Sequence, residues 1–249
     1  MITITINNIK IENLIVVNKK FMIGVFLMKI FIITDVHGNP DAVYKYLDEN
    51  NVDKIIVMGD VTNFGPDDLF VEILDKLSGY ADVYSVFGNC DPKNSVELLD
   101  KSQAVNIHDN LVKIENINVV GFGGSNPTPF DTLNEYEDEL LYKELSKYDD
   151  VLSSDSFTIL VTHAPPINTK ADKIEGDIHV GSEGIRKIVE QTQPTLNICG
   201  HVHEAVAIDK IGNTTIVNPG DAQAGHACML ELSEENIKEK EPNITLIEL

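Results

Sequence analysis

From residue 28 onward, short uninterrupted apolar runs alternate with segments whose apolar positions recur every three or four residues. The runs at 30–33, 55–58, 83–87, 157–162 and 196–199 read as strands buried on both faces, because a half-exposed strand would alternate apolar with polar. Between them, Val43, Tyr46 and Leu47 mark one amphipathic helix, and Leu69, Phe70, Ile73, Leu74 and Leu77 mark a second, stopped by Gly79. Asn39, Pro40 and Asp41 form a helix start, with a cap residue, a proline and an acid in sequence. Ser182 is placed to cap a further helix running to 191, and an acidic helix is expected near 133–148. Two antiparallel pairs are expected, one at 111–114 and 117–122, the other at 205–209 and 214–217, turning near Gly212 and Asn213. The last strands, 227–232 and 244–247, are separated by a polar run over 233–243 that reads as a solvated loop. Strands alternating with helices in this way imply an α/β fold around a largely parallel sheet.

Residues 1–27 stand apart. Ile2, Ile4 and Ile6 alternate with threonines, and Asn7-Asn8 suits a turn, so this extension reads as an accessory β-hairpin or the product of a start codon placed too early. No linker divides 28–249, which is expected to form one domain.

Charge narrows the function. With 40 acids against 19 bases, the net charge is −21. Such a chain repels nucleic-acid polymers and anionic membranes. A small anion could still bind, but arginine occurs only once, at Arg186, so metal ions are the natural source of positive charge. Three scattered cysteines make neither a disulfide framework nor a Cys-rich zinc site, and suit the reducing cytoplasm. No apolar window is long enough for a membrane-spanning helix.

The buried runs share one ending: Asp35 and His37 follow the first, Asp60 the second, Asn89 the third, His163 the fourth, and His201 and His203 the fifth. In open α/β sheets the carboxyl edge of the strands is where ligands bind. If the backbone stays extended, Asp35 and His37 point the same way, two residues apart. Two aspartates, one asparagine and four histidines are oxygen and nitrogen donors suited to Mn, Fe, Zn, Ni or Mg. A single tetrahedral ion needs about four donors, so seven suggest a pair of ions. Taken singly, a Gly-Asp turn or a strand-end histidine is more often structural than ligating; the repetition is what carries weight.

In chain order, Asp-Val-His at 35–37, Gly-Asp at 59–60, Gly-Asn-Cys-Asp at 88–91, Thr-His at 162–163 and Gly-His-Val-His at 200–203 resemble the calcineurin-like metallophosphoesterases. Gly-Asp-Val-Thr-Asn-Phe-Gly-Pro, Thr-His-Ala-Pro-Pro and Val-Asn-Pro-Gly are similar to the Icc-related branch of that family. The resemblance implies a four-layer sandwich, two mixed β-sheets flanked by α-helices. It also implies a dinuclear site, with Asp35, His37 and His203 on one divalent ion, Asn89, His163 and His201 on the other, and Asp60 bridging them. The implied activity is hydrolysis of a small phosphoester by a metal-bridging hydroxide. A phosphodiester, cyclic nucleotides included, comes first; a phosphomonoester, or a non-catalytic metal-binding scaffold for a protein partner, is the alternative. A homo-oligomer is compatible with the sequence.

The Gly-Asn-Cys-Asp motif supplies Asn89, Cys90 and Asp91 as candidate catalytic residues. The family commonly has histidine where this chain has Cys90, and that histidine is taken to protonate the leaving group. A thiol is a poorer proton shuttle, so His179 and His226 become candidates for that task. Asn39 and Asn63, just beyond ligand-bearing strand ends, and Ser125 and Asn126, in the Gly/Pro-rich loop at 123–130, are expected to face the substrate.

Overall fold

The apolar runs become strands stacked in two sheets, and the helical segments cover the outer faces. The computed structural model describes residues 27–249. Its first half contains β1 (Leu27–Ile33), α1 (Asp41–Glu49), β2 (Lys54–Met58), α2 (Asp67–Ser78), β3 (Asp82–Val86), α3 (Ser95–Lys101), β4 (Val105–Asn106), β5 (Asn110–Ile114), β6 (Ile117–Phe122), α4 (Asp138–Leu145) and α5 (Asp149–Leu152). The second half contains β7 (Thr158–Thr162), β8 (Lys173–Ile174), β9 (Ile178–His179), α6 (Glu183–Thr192), β10 (Leu196–Ile198), β11 (Ala207–Ile211), β12 (Thr214–Asn218), β13 (His226–Ser233), α7 (Glu234–Glu239) and β14 (Asn243–Glu248).

One sheet runs β14-β13-β1-β2-β3-β4, parallel from β1 to β4 with an antiparallel edge. The other runs β11-β12-β10-β7-β6-β5, with parallel inner pairs and antiparallel outer ones. Period-two geometry sorts each strand between two cores. Ile30, Ile32, Ile56 and Met58 point between the sheets and meet Val119, Ile159, Val161 and Ile198. Phe31, Ile33, Ile55 and Val57 point outward and pack on Val43, Phe70, Leu74 and Leu77 of α1 and α2. On the far side, Val120 and Leu160 pack on Leu141 and Leu145 of α4 and on Ile185, Ile188 and Val189 of α6. The result is helices, sheet, sheet, helices. Each fully buried Ile or Leu contributes about 1.5–3 kcal/mol relative to exposure, so the strand ends rest on a rigid base.

Local expectations fare unevenly. The Ser182 hydroxyl accepts from the Ile185 amide and caps α6. Asn39 does not cap α1: Pro40 occupies that position with no side-chain bond, while the Asn39 amide turns back to the Val36 carbonyl. The run 233–243 is not simply a loop, because Ser233 and Asn236 form a reciprocal cap that starts α7. Asparagine stands there where Glu or Gln usually completes the box, and α7 buries no residue, so no apolar stripe announces it. The acidic helix is shorter than 133–148, starting at Asp138 and giving way to a 3-10 turn at Ser146–Tyr148. The short ribbon β8–β9 carried no sequence signal. The hairpin expected within residues 1–27 lies outside the described residues, apart from Leu27, which begins β1. Among the described residues, no helix is long and apolar enough to cross a membrane.

Candidate metal centre

The ligand-bearing segments begin where the strands stop. Beyond Ile33 the chain does not stay extended: Asp35 and His37 both adopt left-handed backbone, with φ of 54° and 48°. They converge because the loop curls, not because of strand alternation. Rungs from the Asp35 amide to the Gly59 carbonyl (3.0 Å) and from the His37 amide to the Asp60 carbonyl (2.9 Å) hold that loop against the one after β2. Asp60 (φ 48°) and His201 (φ 68°) share the conformation, which costs about 1–3 kcal/mol per non-glycine residue and persists only where the surroundings impose it. Two glycines let the loops close in. A Cβ on Gly88 would lie 2.0 Å from Asp60 Oδ1, and one on Gly200 would lie 2.1 Å from Thr34 Oγ1 and 2.7 Å from Asp35 Oδ2.

Each acid is tied to the scaffold through one oxygen and presents the other. Asp35 Oδ2 accepts from Thr34 Oγ1 (2.7 Å) and the His201 amide (2.9 Å), while Oδ1 faces His203 Nε2 at 3.3 Å. Asp60 Oδ1 accepts from the Cys90 amide (2.8 Å). Its Oδ2 stands 3.8 Å from His37 Nε2 on one side and 3.5 Å from His163 Nε2 on the other. His163 Nδ1 donates to the Met58 carbonyl (2.8 Å), which leaves Nε2 facing Asn89 Oδ1 at 2.8 Å. Orientation of a ligating imidazole by a bond at its other nitrogen is usual in metal sites. The Asn89 amide donates to Thr132 Oγ1 (2.9 Å), turning its carbonyl inward. His37 Nε2 and His203 Nε2 approach to 3.2 Å, and the His201 ring stands edge-on to His163 with centroids 5.1 Å apart.

These groups fit divalent cations. Carboxylate oxygens, an amide oxygen and imidazole nitrogens point at common centres where, without a cation or proton, acceptor faces acceptor. Donor atoms of Asp35, His37 and His203, and of Asp35, Asp60 and His163, lie within 4.8 Å of one another in two clusters. His37 Nδ1 is buried with no hydrogen-bond partner among the described residues.

The electrostatics are those of an anionic nest. Burial would raise Asp35, but its hydrogen bond to His203 and the charges of His163 and His203 hold it well below the usual carboxylate range. Burial would likewise raise Asp60, and His163 holds it down. Burial depresses the His163 imidazole, yet Asp60 and Asp35 raise it to about 9. His201 falls to about 4 through burial and the neighbouring His163. Burial, then the Asp60 charge, push the Cys90 thiol far above its ordinary value, so it stays a thiol rather than a nucleophilic thiolate.

The remaining candidates separate. Asn126 lines a cleft of about 900 Å³ that also contains His37, Asp60, Asn89, Cys90, His201 and His203. Asn39 and Asn63 are exposed and do not line it. Ser125 is fully buried, its hydroxyl donating to the Asn126 carbonyl (2.8 Å), so it shapes the loop rather than facing the cleft. Asp91 is also fully buried, accepting from the Gly88, Val61 and Thr62 amides and the Thr62 hydroxyl. Burial and the Asp60 charge push its carboxyl up to about 7. It fastens the loops beneath the centre and has no path to a substrate. Arg186 bonds Glu190 and the carbonyls of Ile167 and Asn168, away from the cleft.

Sequence reading missed Thr34 and Thr132, which orient Asp35 and Asn89. It also missed the rim: Phe64 and Phe130 line the cleft with large exposed rings. A threonine beside a ligand is too common to signal anything, and Thr132 lies 43 residues from Asn89.

Comparison with known proteins agrees with the geometry. An uncharacterized protein of Methanocaldococcus jannaschii, MJ1162, is 48% identical over 197 residues, 77% of this chain and 88% of that one. The crystal structure of TT1561 of Thermus thermophilus shares the fold at 15% identity, with a TM-score of 0.66, covering 88% of this chain and 99% of that one. GAP50, the anchor in the inner membrane complex of Plasmodium, shares it at 13% identity and a TM-score of 0.54, covering 83% and 81%. The calcineurin-like phosphoesterase family matches residues 28–205, the span that carries every ligand-bearing strand end, and the chain belongs to it as a metal-dependent hydrolase of phosphoesters.

Proposed function

We propose that this chain hydrolyses small phosphodiesters, cyclic nucleotides among them, at a dinuclear centre. In this reading Asp35, His37 and His203 would hold one divalent ion, Asn89, His163 and His201 would hold the other, and Asp60 would serve both. The observation that carries it is the position of Asp60 Oδ2, less than 4 Å from a histidine of each set. When bound, such ions acidify water and neutralise phosphoryl oxygens. The chain's own part is to fix the geometry. Thr34 and the His201 amide hold Asp35, the Cys90 amide holds Asp60, and Thr132 holds Asn89 with its oxygen inward. Because the Asn89 amide is engaged by Thr132, Asn89 serves as an oxygen donor rather than as a clamp on the phosphoryl group.

A diester has a second organic group, and the cleft has a place for one. Phe64, Pro127, Pro129, Phe130, Ile174 and Val180 make an apolar wall beside the ligands, and the volume is ample for a nucleotide-sized molecule. The net charge of −21 opposes a polyanionic substrate. Three free cysteines suit the cytoplasm. The test is a screen of the full chain with Mn²⁺ over bis(p-nitrophenyl) phosphate, cyclic nucleotides and phosphomonoesters. Diester turnover above monoester turnover supports the reading, and the reverse order contradicts it. A non-catalytic scaffold gains some support from Cys90; Mn²⁺-dependent turnover that is lost in Asp60→Asn would exclude it.

A further inference from the structure

The cleft that contains the candidate ligands is also lined by His179, the last residue of β9. Its Nδ1 lies 2.7 Å from Oδ1 of Asp172, a carboxylate that is completely buried. Asp172 is fixed in turn: it accepts from the amides of Asn168, Thr169 and Gly181 and from the Thr169 hydroxyl. Gly181 brings the end of the ribbon close, since a Cβ there would meet the Asp172 Cβ at 2.9 Å. His179 Nε2 has no protein partner among the described residues, and the side chain is 30% exposed. An imidazole oriented through one nitrogen by a buried acid, with the other nitrogen free in a catalytic cleft, is the arrangement of a proton donor or acceptor. Among the described residues that line the cleft outside the ligand set, only Cys90, a thiol, and Glu204, an exposed carboxyl, offer another titratable proton.

We propose that His179 is a catalytic residue, the general acid that protonates the leaving oxygen, and that Asp172 is its positioning residue. This rests on the phosphodiesterase reading above. In the step, a water oxygen bonds to phosphorus and its proton passes to solvent. The bond from phosphorus to the ester oxygen breaks, the leaving oxygen takes the proton from His179 Nε2, and the imidazole regains one from solvent. The charged groups around His179 are Asp172 behind it, Asp177 on the ribbon turn and Lys173 on the paired strand.

The test compares two substrates of the Mn²⁺-loaded full chain. One is p-nitrophenyl thymidine phosphate, whose aryl oxide leaves without a proton. The other is a thymidine dinucleotide, whose sugar alkoxide needs one. His179→Gln and His179→Ala are expected to lower dinucleotide turnover about a hundredfold, and to lower aryl turnover at least about tenfold less than that. Added imidazole is expected to restore part of the loss in His179→Ala, which a purely structural role would not allow. Equal losses on both esters, or a wild type that cleaves only the aryl ester, would overturn the assignment. A wild type that cleaves neither ester would instead count against the phosphodiesterase reading itself.

Discussion

On the floor of the cleft Asp35 and Asp60 are 1% and 2% exposed, and each has an oxygen anchored by backbone amides or a hydroxyl; at the rim Phe130 is 82% exposed and Phe64 57%. The floor is a connected polar network in a low-dielectric setting, where misplacing one group leaves others unsatisfied. The rim is apolar surface held by loop backbone, where a change of side chain disturbs little beyond its own contact. In the proposed reading, chemistry is built into the anchored floor, and selection of the organic group falls to the exposed rim.

Substitutions at the floor are expected to have the largest effects. Asp60→Asn is expected to lower Mn²⁺-dependent hydrolysis by at least about a hundredfold, beyond what loss of an orienting group alone causes, as steady-state kinetics will read. Gly200→Ala forces a methyl onto Thr34 and Asp35 and is expected to cost about 1–3 kcal/mol in urea unfolding, with metal retention lost as well. Thr132→Val frees the Asn89 amide and is expected to weaken activity or metal affinity about 10- to 100-fold, measured by Mn²⁺ titration.

Behind the floor, His108 packs between Phe87 and Phe122 and accepts from the Gly123 amide. Burial, the main cause, lowers its pKa from 6.5 to about 4. The unfolded chain therefore binds a proton that the folded chain refuses over that range. The stability due to neutral His108 is complete above pH 6.5 and is lost as pH falls to about 4, by at most about 3 kcal/mol. His108→Gln should flatten this part of the profile in urea melts at stepped pH. The smallest effect belongs to the rim: Phe130→Ala should raise KM less than about tenfold, with unfolding free energy within about 0.5 kcal/mol of the parent.

The same division governs what could be read from the chain. The two-sided strands were legible because burial on both faces demands unbroken apolar runs, and the candidate ligands stood out because each sits directly after one. The route by which they meet was not: alternation suggested an extended Asp35–His37 segment, whereas left-handed turns bring the side chains together. Asp91 resembled a catalytic acid because it follows Asn89 and Cys90, yet its bonds to Gly88, Val61 and Thr62 draw it beneath the floor. Asn39 and Asn63 followed ligand-bearing strands but turned to solvent, since adjacency along a curling loop does not fix direction. His179 was visible as a residue without a place. Its meaning required Asp172, seven positions earlier, folded against it by the short ribbon.

Whether the separate strand ends converge on a pair of cations is decided by counting bound metal. The full chain is loaded with Mn²⁺, desalted and analysed by mass spectrometry for metal per polypeptide, beside His203→Ala and His163→Ala. Two ions are expected in the parent and a loss of about one in each variant, since the proposed reading assigns the two histidines to different ions. A parent that retains one ion or none, or variants that retain the parental count, would contradict it.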